Sequence, residues 1–270
     1  MESFKQNAVV FDCAGTLVEM YRVTKELETG EIILDADNLK LVSESDGRGL
    51  IIMDAPLDLV KKQPPERLLS DFLRAEKIPF GVAYASSGFR NGDISRILLN
   101  EKTTMAEFIE TNREAVAVFD DIIYEVFGFV ADSFKNKITH VMSTGGKLFD
   151  SAKGVVAEAQ ENCDLFIASG DDYANLNRVA EKLGIQKENV VGLCDEIRKQ
   201  EIVAELQEHY PKVIMIGDGM NDRAALLAAD LGILISRSNY NTPDALKDSA
   251  DEIVDDLEEC TEILKSYILE

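Results

Sequence analysis

Two stretches of the sequence place carboxylates directly after runs of apolar residues. The first run, residues 8–11, leads into Asp12 and then into a turn at Gly15. The second, residues 213–216, leads into the glycine-rich and acidic segment 217–222. Four apolar residues followed by turn signals are typical of a buried strand. Parallel strands of an α/β sheet end side by side, so the acids after these two strands can meet at one edge of the sheet.

Other residue types that commonly do chemistry are sparse. The two histidines, His140 and His209, have no motif around them, which argues against a histidine-based triad or a zinc site. The four cysteines lack C-x-x-C spacing, so neither a zinc knuckle nor a disulfide framework is indicated. Cys13 lies beside Asp12, but a lone cysteine at a strand end is usually a small apolar filler. Carboxylates are therefore the main candidates for chemistry.

The composition predicts a globular protein with room for two domains, since the chain has 270 residues of which 46% are hydrophobic. A formal net charge of −22 disfavours nucleic acid or an anionic membrane as a partner. No apolar run reaches the roughly 18 residues of a membrane span, and the first residues carry no signal-peptide pattern. We therefore expect a cytoplasmic protein that acts on a small molecule, and a homodimer remains open.

Strand and helix patterns alternate beyond about residue 147. Short apolar runs at 165–168 and 231–235 predict strands, and apolar residues at helical spacing over 176–183 predict a helix. A strand is also expected at 190–193, and an alanine-rich helix at 221–229. Such alternation indicates a parallel sheet covered by helices, which is an α/β fold.

Residues 19 to about 142 follow a different pattern. The segment 21–34, interrupted at Gly30, predicts a β-hairpin, and residues 50–53 predict another strand. A short helix is expected around residues 69–73, and a longer one over 104–124. We therefore predict two domains: a core of residues 1–18 and 143–270, and an inserted α+β domain of residues 19–142.

Four short motifs follow one another along the predicted core. They are Asp12-Cys-Ala-Gly-Thr16, Ser169-Gly-Asp171, Lys199 and Gly217-Asp-Gly-Met-Asn-Asp222. Each is weak alone, but together, in this order and at strand ends or helix starts, they resemble the haloacid dehalogenase superfamily of aspartyl-phosphate-forming enzymes. Within that superfamily the core resembles the phosphorylation domain of P-type ATPases. The resemblance covers residues 7–18 and roughly 145–262, and it implies a Rossmann-like core with an inserted cap domain.

The resemblance assigns the reacting groups. In-line transfer of a phosphoryl group needs a nucleophilic oxygen, and this role falls to Asp12. Because a carboxylate repels a phosphate, a hard cation has to bridge them. The resemblance implies Mg²⁺, held by Asp12, Asp218 and the carbonyl of Ala14.

The same resemblance assigns phosphate binding to Ser169, to the amide of Gly170 at the expected start of the next helix, and to Lys199. Lys199 shares a helix face with apolar residues and so needs an anion; the alternative is a surface lysine that snorkels. The remaining motif residues would have supporting roles. Asn221 and Asp222 would orient Lys199 and the metal's surroundings, or else cap the next helix, while Thr16 and Asp171 would be positioning groups.

Ala14 departs from the pattern of most phosphatases in the superfamily. They carry a second aspartate there, which donates a proton to the leaving group and then activates water. Such general acid–base help is typically worth on the order of a hundred- to ten-thousand-fold in rate. P-type ATPases have threonine at this position. Phosphonoacetaldehyde hydrolases have alanine and use a cap lysine as a Schiff base, for which the inserted domain offers Lys25, Lys40, Lys61, Lys62 and Lys77.

Three functions follow from these observations. The leading one is a magnesium-dependent phosphohydrolase that acts through an aspartyl-phosphate at Asp12, with the insertion as a cap over a small phosphorylated substrate. The alternatives are a phosphonatase-like carbon–phosphorus hydrolase and a non-catalytic phosphate-binding or regulatory protein. The insertion lacks a Lys-Gly-Ala nucleotide motif, so use of ATP does not follow. Within it, residues 47–49 and 86–90 are either substrate-contacting loops or plain surface turns.

Overall fold

The structure, a computed structural model, describes residues 7–118, 120–238 and 242–269. Contacts divide the chain into two compact units. The core unit comprises Met1–Glu19 and Lys147–Glu270, and the inserted unit comprises Met20–Gly146. In the described part of the chain, no helix combines the length and the apolar character that crossing a membrane requires.

The chain begins in the core unit with strand β1 (Asn7–Phe11) and then forms the inserted unit. The strands of the inserted unit are β2 (Val18–Glu26), β3 (Ile32–Leu34), β4 (Arg48–Met53), β5 (Phe80–Ala85), β6 (Tyr124–Asp132) and β7 (Lys137–Leu148). They form one sheet in the order β3-β2-β7-β6-β4-β5. Its helices are α1 (Asn38–Ser43), α2 (Leu57–Lys61), α3 (Leu69–Ala75), α4 (Asn91–Asn100) and α5 (Met105–Val116).

Sequence patterns describe only part of this unit. The predicted hairpin is confirmed, because β2 and β3 pair antiparallel with Val23 opposite Leu34. The predicted long helix over 104–124 is wrong: α5 ends at Val116, and Tyr124 begins β6. The run of β-branched and aromatic residues from Ile122 onward favours an extended chain, and it pairs with β4 and β7.

The core unit continues with strands β8 (Cys163–Ala168), β9 (Val190–Val191), β10 (Lys212–Gly217), β11 (Leu231–Ile235) and β12 (Glu252–Val254). Its helices are α6 (Ala152–Asn162), α7 (Tyr173–Leu183), α8 (Glu196–Gln207), α9 (Arg223–Ala228), α10 (Asp244–Lys247) and α11 (Cys260–Leu269). The strands form a parallel sheet in the order β12-β11-β10-β1-β8-β9. All five residues of β1 and of β11 are buried, as expected for parallel strands covered on both faces.

This strand order puts β1 where the direction of winding reverses. From β1 the chain builds β8 and β9 on one side, and then crosses to build β10, β11 and β12 on the other. In open α/β sheets, ligands bind at the carboxyl ends of the strands at such a switch point. The α/β core with an inserted α+β unit is the fold class that the sequence predicts.

Two predicted elements of the core unit are shorter than expected. The strand predicted at 190–193 ends at Val191, because Leu193 adopts a left-handed conformation with φ +57° and is 71% exposed. The helix predicted at 221–229 starts as a 3-10 turn, Met220–Asp222, and only then continues as α9. Both changes lie in loops at the carboxyl edge of the sheet, where the motif residues are.

Candidate active site

Asp12 lies at the centre of the sheet's carboxyl edge. β1 runs between β8 and β10, and Phe11 is level with Ile167 on one side and Ile216 on the other. The backbone N–H of Asp12 donates to the carbonyl of Ile216 over 2.9 Å, and the residue is 4% exposed. The segments that follow β8 and β10 therefore flank Asp12 on both sides.

Lys199 links two buried carboxylates. Its Nζ lies 2.5 Å from Asp12 Oδ1 and 2.6 Å from Asp222 Oδ1. Both Lys199 and Asp222 have no exposed surface. Helix α8, which is N-capped by Asp195, turns Lys199 to the same buried side as Ile202. Lys199 is therefore not a snorkelling surface lysine but a buried ammonium held by two anions.

Asp222 connects this ammonium to the turn after β10. Its Oδ2 accepts hydrogen bonds from the backbone N–H groups of Asp218 and Gly219, over 3.1 and 2.9 Å. Gly217 permits this approach, because a Cβ there would lie 2.5 Å from the Asp222 carboxyl carbon. Both oxygens of Asp222 are thus engaged, and the residue fixes Lys199 relative to the turn.

A third carboxylate, Asp218, completes an acidic cluster. Asp12, Asp218 and Asp222 each offer an oxygen, and these three atoms lie within 4.8 Å of one another. Thr16 donates to Asp218 Oδ1 over 3.1 Å. Gly15, with φ +92°, lets the loop after β1 press against Asp218, since a Cβ at this position would come within 2.1 Å of Oδ2. A set of carboxylate oxygens suits a hard divalent cation such as Mg²⁺.

The cluster carries more negative than positive charge. Burial raises the pKa of Asp12 well above its ordinary value; the charge of Asp222 adds to this effect, and that of Lys199 opposes it. Burial and the charge of Asp222 likewise raise the pKa of Asp218 to about 6. Burial alone lowers the pKa of Lys199, but Asp12 and Asp222 outweigh it, so that the pKa is raised and the ammonium stays protonated. A divalent cation would relieve the remaining repulsion between the carboxylates.

The segment after β8 brings a hydroxyl to the same edge of the sheet as Asp12. Ser169 is 2% exposed, and its Oγ donates to Asp171 over 2.7 Å. The prediction that Gly170 opens the next helix is wrong, because α7 begins at Tyr173. Asp172 caps that helix by accepting from a backbone N–H of its first turn, and Gly170 is left in the preceding turn.

The remaining motif residues differ in their surroundings. Ala14 lies in the loop after β1 and is partly exposed. Asn221, which was expected to orient Lys199, is exposed on the turn after β10. Cys13 is fully buried, and burial raises the pKa of its thiol, as expected of an apolar filler rather than a nucleophile.

Sequence reasoning missed one cation at this edge. Arg237, two residues beyond β11, donates from Nη1 to the carbonyl of Gly15. Its guanidinium carbon lies 4.0 Å from the centroid of the Phe149 ring. The position of Arg237 in the sequence could have indicated this. It follows β11, a fully buried strand beside β10, and residues just beyond neighbouring parallel strands lie at the same edge of the sheet.

Comparisons with known proteins show which family the chain belongs to. The haloacid dehalogenase-like hydrolase family matches residues 6–230 of the chain. A soluble P-type ATPase-like phosphatase of Methanocaldococcus jannaschii is 29% identical over an alignment of 270 positions, which covers 97% of this chain and 94% of that protein. A probable copper-transporting P-type ATPase B of Staphylococcus epidermidis is 22% identical over 254 residues, but this chain spans only 35% of its length.

Among solved structures, the catalytic domain of the CPx-ATPase CopB-B aligns with 98% of this chain and 90% of its own, at 15% identity and a TM-score of 0.46. The family match covers most of the chain. The protein therefore belongs to the haloacid dehalogenase-like hydrolases, and it is an enzyme with the P-type ATPase-like core that the motifs predict.

We predict that Asp218→Asn stabilises the metal-free protein in a pH-dependent way. Its carboxyl titrates at its ordinary value of 3.8 in the unfolded chain and at about 6 in the folded one. The wild type therefore loses stability relative to the variant as pH rises through this window, and the loss persists above it. Denaturant titrations with a chelator between pH 4 and 8 measure the difference. Asp150→Asn, whose side chain is 98% exposed, is the control. A pH-independent difference for Asp218→Asn would contradict the assignment.

We predict that Lys199→Met destabilises the metal-free protein by about 3–5 kcal/mol, because it leaves buried carboxylates without their counter-charge. Adding Asp12→Asn to this variant should recover part of the loss, since it removes one of the stranded charges. The free energy of unfolding from denaturant titrations measures both effects. Lys153→Met, which replaces an exposed lysine of α6, serves as the control. If both lysine variants lose the same stability, the ammonium does not hold the cluster together.

Proposed function

We propose that the protein is a magnesium-dependent phosphohydrolase that acts on a small phosphorylated molecule through an aspartyl-phosphate at Asp12. The observation that carries the proposal is the buried ammonium of Lys199 shared between Asp12 and Asp222, together with an Asp218 oxygen within 4.8 Å of an oxygen of each of these carboxylates. The relative from Methanocaldococcus jannaschii, which aligns over nearly its whole length, is named a phosphatase.

The donor set supports magnesium. Asp12 and Asp218 would supply carboxylate oxygens, and the carbonyl of Ala14 would supply a third ligand. Asp222 is the less suitable ligand, because both of its oxygens already accept hydrogen bonds. When bound, Mg²⁺ would neutralise the charge on the phosphoryl oxygens as they approach the carboxylates.

The contacts of Asp12 leave one oxygen for attack. Lys199 holds Oδ1, and among the described residues Oδ2 accepts no hydrogen bond. In the proposed reaction Oδ2 forms a bond to phosphorus while the bond from phosphorus to the leaving oxygen breaks. Lys199 stabilises the charge that develops on the phosphoryl oxygens. The Ser169 hydroxyl donates to Asp171 in the structure, and in the proposed reaction it turns to donate to a phosphoryl oxygen instead. Water then attacks the phosphorus, which releases inorganic phosphate and restores the carboxylate.

Ala14 makes the second half of this reaction slow. A methyl group neither protonates the departing oxygen nor accepts a proton from the attacking water, so both protons must be exchanged with solvent or with other groups. The phosphorylated form of Asp12 is therefore expected to build up during turnover.

The inserted unit is proposed as the cap. Two segments singled out from the sequence, the start of β4 and the loop after β5, contact each other: the N–H of Gly47 donates to the carbonyl of Ser87 over 2.7 Å, and the N–H of Arg48 donates to Ser86 Oγ over 2.9 Å. Phe89 fills the space that a side chain at position 49 would need. Gly47 and Gly49 are buried, whereas most of the loop at 86–90 is exposed, and we propose that this loop selects the substrate.

The phosphonatase alternative requires a lysine that loses its proton readily, as an imine-forming amine does. Lys25 does not fit, because it lies 2.6 Å from Glu107 and from Glu110. Burial alone lowers the pKa of Lys25, but the hydrogen bonds it donates to these carboxylates outweigh that effect and raise it. The other candidates are exposed, whereas a lysine of this kind is usually activated by an apolar pocket; they are Lys40, Lys61, Lys62 and Lys77.

A substrate panel separates the three functions. The purified protein is incubated with Mg²⁺ and phosphate monoesters, sugar phosphates, nucleotides or phosphonoacetaldehyde, and release of inorganic phosphate is measured. Hydrolysis of esters or nucleotides supports the proposal, and cleavage of phosphonoacetaldehyde alone supports the phosphonatase. Binding of a phosphate compound without turnover indicates a regulatory protein.

We predict that Asp12→Asn keeps the fold and abolishes phosphate release, because an amide is a poor nucleophile and a weaker metal ligand. Circular dichroism establishes that the variant is folded, and steady-state phosphate release measures its activity. Asp150→Asn again controls for loss of a surface carboxylate. Activity above a few per cent of the wild-type rate in Asp12→Asn would remove Asp12 from the mechanism.

We predict that Ala14→Asp accelerates breakdown of the intermediate, because the new carboxylate can take a proton from the attacking water. Wild type should release the leaving group in a burst followed by a slower steady rate, and the variant should lose the burst and raise the steady rate. Rapid-mixing kinetics at saturating Mg²⁺ measure both, since repulsion from Asp12 and Asp218 is expected to weaken the cation site. A burst of unchanged size and decay would show that another group already handles the proton.

A further inference from the structure

Arg237 makes contacts that no assigned role explains. It donates from Nη1 to the carbonyl of Gly15, and its guanidinium lies over the ring of Phe149 at 4.0 Å. The other terminal nitrogen, Nη2, is buried and has no partner in the described part of the chain. A buried guanidinium donor without a partner costs free energy, because the same group in water would be hydrogen-bonded.

The contacted carbonyl belongs to the loop that follows the proposed nucleophile. This loop is a tight turn in which the N–H groups of Leu17 and Val18 both donate to the carbonyl of Cys13 over 2.9 Å. The N–H of Gly15 donates to the carbonyl of Val18, also over 2.9 Å. Gly15 has φ +92°, and its carbonyl accepts the hydrogen bond from Arg237.

Phe149 is tied to the same loop. Its N–H donates to the carbonyl of Leu17 over 3.0 Å, so the ring under Arg237 moves with the loop. Arg237 is itself anchored from β12, because the N–H of the preceding Ser236 donates to the carbonyl of Val254 over 2.7 Å. Together these contacts connect the loop after β1 to β11 and β12 at the outer side of the sheet.

We infer that Arg237 is a positioning residue for the proposed metal site: it holds the loop that carries Ala14, Gly15 and Thr16 against Asp218. The inference rests on the proposed function. The loop carries one expected metal ligand, the carbonyl of Ala14, and through Thr16 it also orients a second, Asp218. Displacement of the loop would misplace both of these metal ligands and leave the position of Asp12 unchanged.

A role of Arg237 through its charge and a role through positioning predict opposite changes in Mg²⁺ affinity. A guanidinium beside Asp218 repels Mg²⁺, so if Arg237 acted only through its charge, Arg237→Gln would bind Mg²⁺ more tightly. If it positions the loop, the same variant binds Mg²⁺ more weakly. We expect weakening of about tenfold or more, the range measured for residues that orient metal ligands in other proteins.

Calorimetric titration of the full chain with Mg²⁺ alone tests the inference. Arg237→Gln should bind Mg²⁺ at least about tenfold more weakly than wild type, and Arg237→Lys should recover little, because an ammonium cannot both stack on Phe149 and donate in the guanidinium's plane. Phe149→Leu should weaken binding in the same direction, since it removes the stacking surface but leaves Arg237 in place. Arg223→Gln is the matched control, because Arg223 lies near the site and donates only to the carbonyl of Ala245 over 3.3 Å among its described contacts.

The outcomes separate cleanly. Tighter binding in Arg237→Gln, or a lower melting temperature with unchanged Mg²⁺ affinity, would each overturn the positioning role. If wild type itself binds no Mg²⁺, the proposed function fails, and the inference fails with it. If wild type binds Mg²⁺ but hydrolyses none of the tested substrates, the comparison among the variants still decides the role of Arg237.

Discussion

The buried ion cluster around Lys199 is the interaction on which the arrangement of the site depends. One ammonium lies 2.5 Å from Asp12 and 2.6 Å from Asp222, and neither Lys199 nor Asp222 has any exposed surface. Charges taken out of water are stable only when their partners are close and their remaining hydrogen bonds are made. Asp222 meets this condition through two backbone N–H groups, which also fix the turn that carries Asp218. A single lysine therefore couples helix α8, the loop after β10 and the end of β1.

The cluster carries a net negative charge when no metal is bound. Three carboxylates lie within 4.8 Å of one another and face one buried ammonium, so that a divalent cation would bring the four groups to neutrality. Burial raises the pKa values of Asp12 and Asp218, and the charge of Asp222 raises both further. A site that repels itself when empty binds a cation well, at the cost of stability in the metal-free protein.

The carboxylates and the lysine of this site could be predicted from the sequence because local patterns that are weak alone follow one another in a fixed order along the core. Asp12 and Asp218 come directly after buried strands, and parallel strands end at a common edge. Lys199 is polar on an otherwise apolar helix face. The start of α7 was misplaced because both Gly170 and Asp172 suit a helix entry, and only the fold shows that Asp172 makes the cap. Arg237 has no motif, since its role depends on Gly15, which lies 222 positions away in the chain.

The inserted unit was harder to predict for a related reason. Helix α5 ends at Val116 because the chain beyond it pairs as β6 with β4 and β7. Apolar residues at helical spacing near this boundary do not reveal that strand pairing is preferred there. The core, by contrast, repeats a strand–helix alternation whose pattern is local. The segments 47–49 and 86–90 are hydrogen-bonded to each other, a contact that no spacing rule predicts.

The central claim is that Asp12 becomes covalently phosphorylated, and acid quenching during turnover tests it most directly. The quenched protein is digested and each peptide is examined by mass spectrometry, with and without hydroxylamine, which cleaves acyl phosphates. The account predicts a phosphoryl adduct on the peptide that contains Asp12, lost on hydroxylamine treatment and absent without Mg²⁺. Steady hydrolysis with no adduct on that peptide, or an adduct on another residue, would contradict it.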